Sequence, residues 1–101
     1  KFISHSLAAI KMQNEVNLAI EKINPLPFDK SFDVSYFLPK SGKVWIQICD
    51  ESGKILDTQS FDAPKGKNVH VYKNEKIRES GSYTINLIFD NKKVTRSIIK
   101  I

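Results

Sequence analysis

From residue 31 onward the sequence repeats one pattern: a short run in which apolar and polar residues alternate, then a turn rich in Gly, Pro, Asn or Asp. The runs span 31–38, 43–50, 54–61, 68–74, 81–90 and 93–101. A period of two sends successive side chains to opposite faces of an extended strand, so each run has one face to bury and one to wet. Short strands cannot bury a face alone; two sheets stacked over a shared core can. The pattern predicts an all-β fold, a two-layer antiparallel β-sandwich of about seven strands.

The turns sharpen that expectation. Between Ile48 and Ile55, Asp50 can open a hairpin and Gly53 can take the positive φ that other residues adopt only at a cost. Asp90 and Asn91, between Phe89 and Val94, form a second candidate hairpin loop, because Asp and Asn tolerate left-handed backbone. Pro39–Lys40–Ser41–Gly42 is a third connection, joining antiparallel neighbours or crossing to the facing sheet through a short corner.

Within the runs, Tyr83, Ile85, Leu87 and Phe89 share a face, with Thr84, Asn86 and Asp90 opposite. Val34, Val44, Ile46, Ile48, Ile85, Leu87 and Phe89 are expected inside, each burial contributing about 1.5–3 kcal/mol. Trp45 stands opposite the aliphatic face of its own strand. It reads as covered within a central strand, or as part of a surface that a partner covers. Cys49, the only cysteine, excludes an intramolecular disulfide and reads as a small buried packing residue.

Composition limits the functional classes. A chain of 101 residues with 41% hydrophobic residues suits one domain with a modest core. The net charge of +5 is spread along the chain, and Lys40, Lys43, Lys54, Lys65, Lys67 and Lys92 fall in turns or on polar strand faces, where they keep a sheet soluble and guard its edges. Nucleic-acid binding calls for basic and aromatic residues on one face, and only the run from Val69 through His70, Val71 and Tyr72 to Lys73 hints at that. A carbohydrate platform would have only Trp45, Tyr36 and Tyr72 to use. Asp29, Asp33, Asp50 and Glu51 read as turn and solvated strand positions. Neither His5 nor His70 is placed to activate Cys49, so no enzyme activity, cofactor or metal is expected. No apolar run approaches the roughly 20 residues of a membrane-spanning helix.

The first part of the chain is open to two readings. Ser6 is a cap-like residue before good helix formers, and Met12, Val16, Ala19, Ile20 and Ile23 recur at helical spacing. Val16, Leu18 and Ile20 also alternate with Asn17 and Ala19 as a strand would, with Asn24–Pro25–Leu26–Pro27 then an extended connection. The chain opens at Lys1 with neither Met nor a secretory-signal pattern, which reads as a fragment or processed piece.

The order of motifs from about Val16 to Ile101 resembles the C-terminal sorting domain of proteins exported by the type IX secretion system of the Bacteroidetes. The resemblance rests on Asn24–Pro25 after a first strand and on Phe37–Leu38–Pro39–Lys40–Ser41–Gly42–Lys43–Val44 leading into the run from Ile46 through Asp50 and Gly53 to Ile55. It also includes Ser80–Gly81–Ser82–Tyr83 and the basic, apolar tail Arg96–Ser97–Ile98–Ile99–Lys100–Ile101. Cys49 departs from it, standing where the family usually has an aromatic residue, and Lys100 is followed by one further residue.

The resemblance implies an immunoglobulin-like sandwich over residues 16–101 that performs no reaction and serves as a transport address. Residues 1–15 would then be a linker, a cleavage region or the end of a preceding domain. Implied partners are an outer-membrane translocon, its shuttle proteins and a sortase-like protease, with lipopolysaccharide as a further contact; the destination is the cell surface or the medium. The family pattern maps onto Gly53, Gly81, Tyr83, Arg96, Ile98, Ile99 and Lys100 as recognition candidates. Arg96 and Lys100 are expected in solvent, with Ile98, Ile99 and Ile101 packed. A final strand can be read through exposed backbone and alternating side-chain pockets. The other reading is an immunoglobulin- or fibronectin-like spacer or adhesion module, since one sandwich serves many functions.

Overall fold

The computed structural model describes residues 17–101. The strands are β1 (Ala19–Asn24), β2 (Ser31–Leu38), β3 (Gly42–Cys49), β4 (Ile55–Ala63), β5 (Gly66–Lys73), β6 (Gly81–Phe89) and β7 (Lys92–Lys100). They form two antiparallel sheets, ordered β1-β2-β5 and β4-β3-β6-β7, which stack as the expected sandwich. In immunoglobulin lettering the first sheet is A-B-E and the second carries C, F and G, with β4 added beside β3.

The core follows the alternation. Phe32, Val34, Tyr36 and Leu38 of β2, Val44, Ile46 and Ile48 of β3, and Ile85, Leu87 and Phe89 of β6 all point inward and are buried, including every residue expected there. Phe28 meets Phe32 edge-on at 4.8 Å, and Phe32 stacks on Tyr72 at 5.1 Å. Ile77 plugs the core from the loop between β5 and β6; the Asn74 side chain donates to its carbonyl and accepts from its N–H, both at 2.8 Å.

Two lateral seams join the sheets. On one side, β4 faces β5 through a polar chain. Tyr72 Oη donates to Asp57 Oδ2 (2.8 Å), Gln59 Nε2 donates to the same oxygen (3.3 Å), and His70 Nε2 meets Gln59 Oε1 at 3.2 Å. The Asp57 carboxylate only accepts, which orients the Gln59 amide and makes His70 Nε2 the protonated ring nitrogen. The His70 ring lies flat on Phe61, centroids 4.3 Å apart, and burial holds its pKa below the usual value. Burial, reinforced by the Asp57 hydrogen bond, pushes the Tyr72 phenol well above its ordinary range.

On the other side, β1 approaches β7. The Arg96 guanidinium donates to the carbonyl of Ile20, where the β1–β2 register slips before Lys22. Phe28 bridges the end of β7 in the parallel sense: its N–H donates to Ile99 O and its carbonyl accepts from Ile101 N–H, both at 2.9 Å.

Several sequence expectations change. Over residues 19–24 the strand reading holds, because Leu18 and Ile20 enter the core; the cap at Ser6 and residues 1–15 lie outside the described residues. Trp45 belongs to a central strand but is 39% exposed, on the outer face with the Lys43 ammonium 5.9 Å from its ring centroid. A central strand is covered along both edges, which does not cover both faces. Cys49 is buried as expected, accepting a weak 3.7 Å contact from Asn86 Nδ2, while Thr95 Oγ1 donates to Asn86 Oδ1. In β5, Tyr72 turns into the core while Lys67, Val69, Val71 and Lys73 face out, so the basic and aromatic residues part to opposite faces. Of the three aromatics available for sugar stacking, Tyr36 and Tyr72 are buried.

Candidate recognition site

Most of the recognition candidates converge on one pole of the sandwich, where the β3–β4 turn lies beside the start of β6 and the end of β7. The turn is held by a single carboxylate. Asp50 Oδ1 accepts from Ser52 Oγ (2.7 Å), Ser52 N–H (2.9 Å) and Lys54 N–H (2.9 Å), while Gly53 N–H donates to Asp50 O (3.0 Å). Gly53 has φ +91°, so the positive angle expected from sequence is present. The Ser52 hydroxyl bond, followed by the Lys54 amide, lowers the Asp50 pKa, since each donor favours the ionised form.

Antiparallel pairing of β6 with β7 sets Gly81 opposite Lys100, Ser82 opposite Ile99 and Tyr83 opposite Ile98. Asp50, Glu51, Glu79, Gly81 and Tyr83 line an open cleft of about 340 Å³ here. Gly53, Tyr83 and Ser97 also meet around an adjoining hollow. The Tyr83 hydroxyl donates to the carbonyl of Glu79 (2.7 Å), tying the loop before β6 to the strand. This is the tyrosine corner found in immunoglobulin-type sandwiches.

The tail departs from the expectation. Lys100 is only 9% exposed; its ammonium donates to Ile101 O (2.7 Å) and lies 3.4 Å from Asp29 Oδ1. Arg96 is exposed yet anchored on Ile20 O. Ile98 packs in the core as expected, whereas Ile99 (52% exposed) and Ile101 face solvent. The physical reason is parity. Even-numbered positions at the end of β7 alternate inward, and Phe28 and Asp29 close over the strand beside Lys100.

The same parity governs the backbone. Ile99 O and Ile101 N–H point away from β6, because Phe28 takes them. Residues two, four and six positions earlier must point the same way, so Lys93, Thr95 and Ser97 direct their N–H and C=O groups off the edge of β7, beside which no further strand of its sheet lies among the described residues. Reading from sequence missed Phe28, Asp29 and Ile20 as partners of the tail. The one available signal was an apolar Phe28 directly after Pro25–Leu26–Pro27, where a polar connection would have sufficed.

Among the described residues, no group of three or more His, Cys, Asp and Glu could hold a metal ion. No helix among them is long and apolar enough to cross a membrane. The sequence matches no protein-family model and no curated protein significantly.

Proposed function

We propose that this sandwich is a non-enzymatic C-terminal sorting domain that directs its cargo through the outer-membrane translocon of the type IX secretion system to the cell surface. The translocon and its shuttle proteins read the domain, a sortase-like protease acts at its junction with the cargo, and lipopolysaccharide receives the product. The observation that carries this reading is the free edge of β7. Lys93, Thr95 and Ser97 offer a receptor strand backbone groups that have no partner among the described residues, and the segment is bounded by the Phe28 clasp. The order of turn and tail motifs from Asn24 to Ile101 supports it.

The test is a reporter fused to residues 16–101 in a host carrying that secretion system. Charge reversal at Lys100 would be a poor probe, because its side chain is buried. Ser97→Pro is better: its amide points off the edge, so the change removes an outward donor without breaking the ladder to β6. The expected outcome is a folded domain with reduced surface delivery. Undiminished delivery by Ser97→Pro and by a chain lacking residues 97–101 would sink the sorting reading. It would favour an immunoglobulin- or fibronectin-like spacer, to which the Tyr83–Glu79 corner is equally suited.

A further inference from the structure

We propose that β5 is a docking edge for an extended acidic segment of another protein, which adds beside it as a further antiparallel strand. This goes beyond the export reading and does not depend on it.

The backbone supplies the first argument. Asn74 N–H donates to Lys30 O at 2.8 Å, continuing the β2–β5 register one step past the strand. Alternation then assigns the even positions of β5 to bonds with β2. Lys67, Val69, Val71 and Lys73 are left with N–H and C=O groups pointing outward. Among the described residues, no strand lies beyond β5 in its sheet.

Space and side chains supply the rest. In variable-type immunoglobulin sandwiches the position beside the strand equivalent to β5 is filled, while a strand equivalent to β4 sits in the opposite sheet. An added strand is therefore compatible with β4 where it stands. The same outward residues carry the exposed apolar pair Val69 (64% exposed) and Val71 (50% exposed), bracketed by Lys67 and Lys73. Edge strands that avoid pairing place charge within the strand; here the charges stand at its two ends, leaving a two-valine centre open.

Charge selects the occupant. Antiparallel pairing of two copies along the whole of β5 would set Lys67 of each opposite Lys73 of the other, and like charges directly opposed are destabilising. A segment with acidic residues at those two positions and β-branched residues between them converts both repulsions to attractions. Asp33 lies one strand inward, opposite Val71, and Glu75 lies beyond Lys73, so neither meets the docked strand directly.

The probe is the peptide acetyl-Glu-Thr-Val-Thr-Val-Thr-Glu-amide, titrated into the ¹⁵N-labelled full chain at low salt. Amide shifts should change at Lys67, Val69, Val71 and Lys73, and affinity should fall as salt screens the charges. The same peptide with Lys in place of both Glu residues should bind at least about tenfold more weakly, as should Val69→Glu protein toward the acidic peptide. Val69 is exposed, so that variant keeps its fold, which its unperturbed core amides would verify. Absence of shifts at millimolar peptide, shifts centred on β7, equal binding of the two peptides, or self-association through β5 would each overturn the proposal. Loss of peptide binding with surface delivery intact would separate this edge from the one on β7.

Discussion

The Arg96 guanidinium donates to the carbonyl of Ile20, so a side chain of the last strand caps the irregular stretch of the first. The slip between Ile20 and Lys22 interrupts the β1–β2 ladder, and a charged donor at that point satisfies an acceptor beside the irregularity. Arg96→Met, which keeps the aliphatic stem, should destabilise the domain by about 1 kcal/mol. The measurement is the denaturant midpoint; an unchanged midpoint would show that the bond contributes nothing net.

The seam between β4 and β5 gives a second test. Tyr72→Phe removes the phenolic donor to Asp57 while keeping the ring against Phe32. The expected loss is about 1–2 kcal/mol, because a part-buried acceptor is left with Gln59 as its remaining side-chain donor. Asp57→Asn in the Tyr72→Phe background should cost less than Asp57→Asn alone, which a double-mutant cycle reads directly.

Stability should depend on pH through His70. Burial lowers its folded pKa below the unfolded value near 6.5, so the unfolded chain binds the proton more readily. The stabilisation is fully present above about pH 6.5 and is lost as pH falls from there through the folded pKa. Denaturation series between pH 8 and pH 5 should show this slope in the parent chain. His70→Phe should flatten it whatever that variant's absolute stability, and an identical slope in both would assign the effect to other groups.

The two hairpins should respond in opposite directions. Gly53→Val forces a β-branched residue to φ +91° and should cost about 1 kcal/mol or more by strain alone, since nothing lies within 4 Å of a Cβ placed there. Asn91→Gly should stabilise by about 0.5 kcal/mol. Asp90 and Asn91 already hold φ of +52° and +65° in the two-residue loop closed by the Phe89–Lys92 pair, and Asp-Gly suits that turn better. Thermal midpoints of the two variants, moving apart from the parent value, are the readout.

Alternation and turn chemistry make most of the sandwich legible in the sequence. Phe32, Val34, Ile85 and Leu87 repeat every second position, and Gly53 and Asn91 are residue types that left-handed backbone favours. Period two alone does not say which face meets the other sheet when both are apolar, and so the expected burial of Trp45 fails. Nor does it reveal contacts between segments far apart in sequence. The burial of Lys100 depends on Asp29 and Phe28, about seventy residues earlier, and the anchoring of Arg96 on Ile20 is equally distant. Side-chain type suggests solvent for both cations; Arg96 is exposed as expected, and topology buries Lys100.

The parallel bridge between Phe28 and the end of β7 also sets how the domain bears tension. β1 and β7 run in the same direction, with Ile20 beside Arg96 and Phe28 beside Lys100, so a pull between residue 18 and residue 101 acts along the strands. The two Phe28 hydrogen bonds and the Arg96 bond are then loaded together in shear, and cannot open one after another like a zipper. Pulling from residues 91 and 101 instead would peel β7 from β6 pair by pair. The first geometry should rupture at the higher force in single-molecule stretching, and equal forces would remove the clasp as its cause. Attached through residue 18, the domain would be a firm handle for whatever draws on its far end.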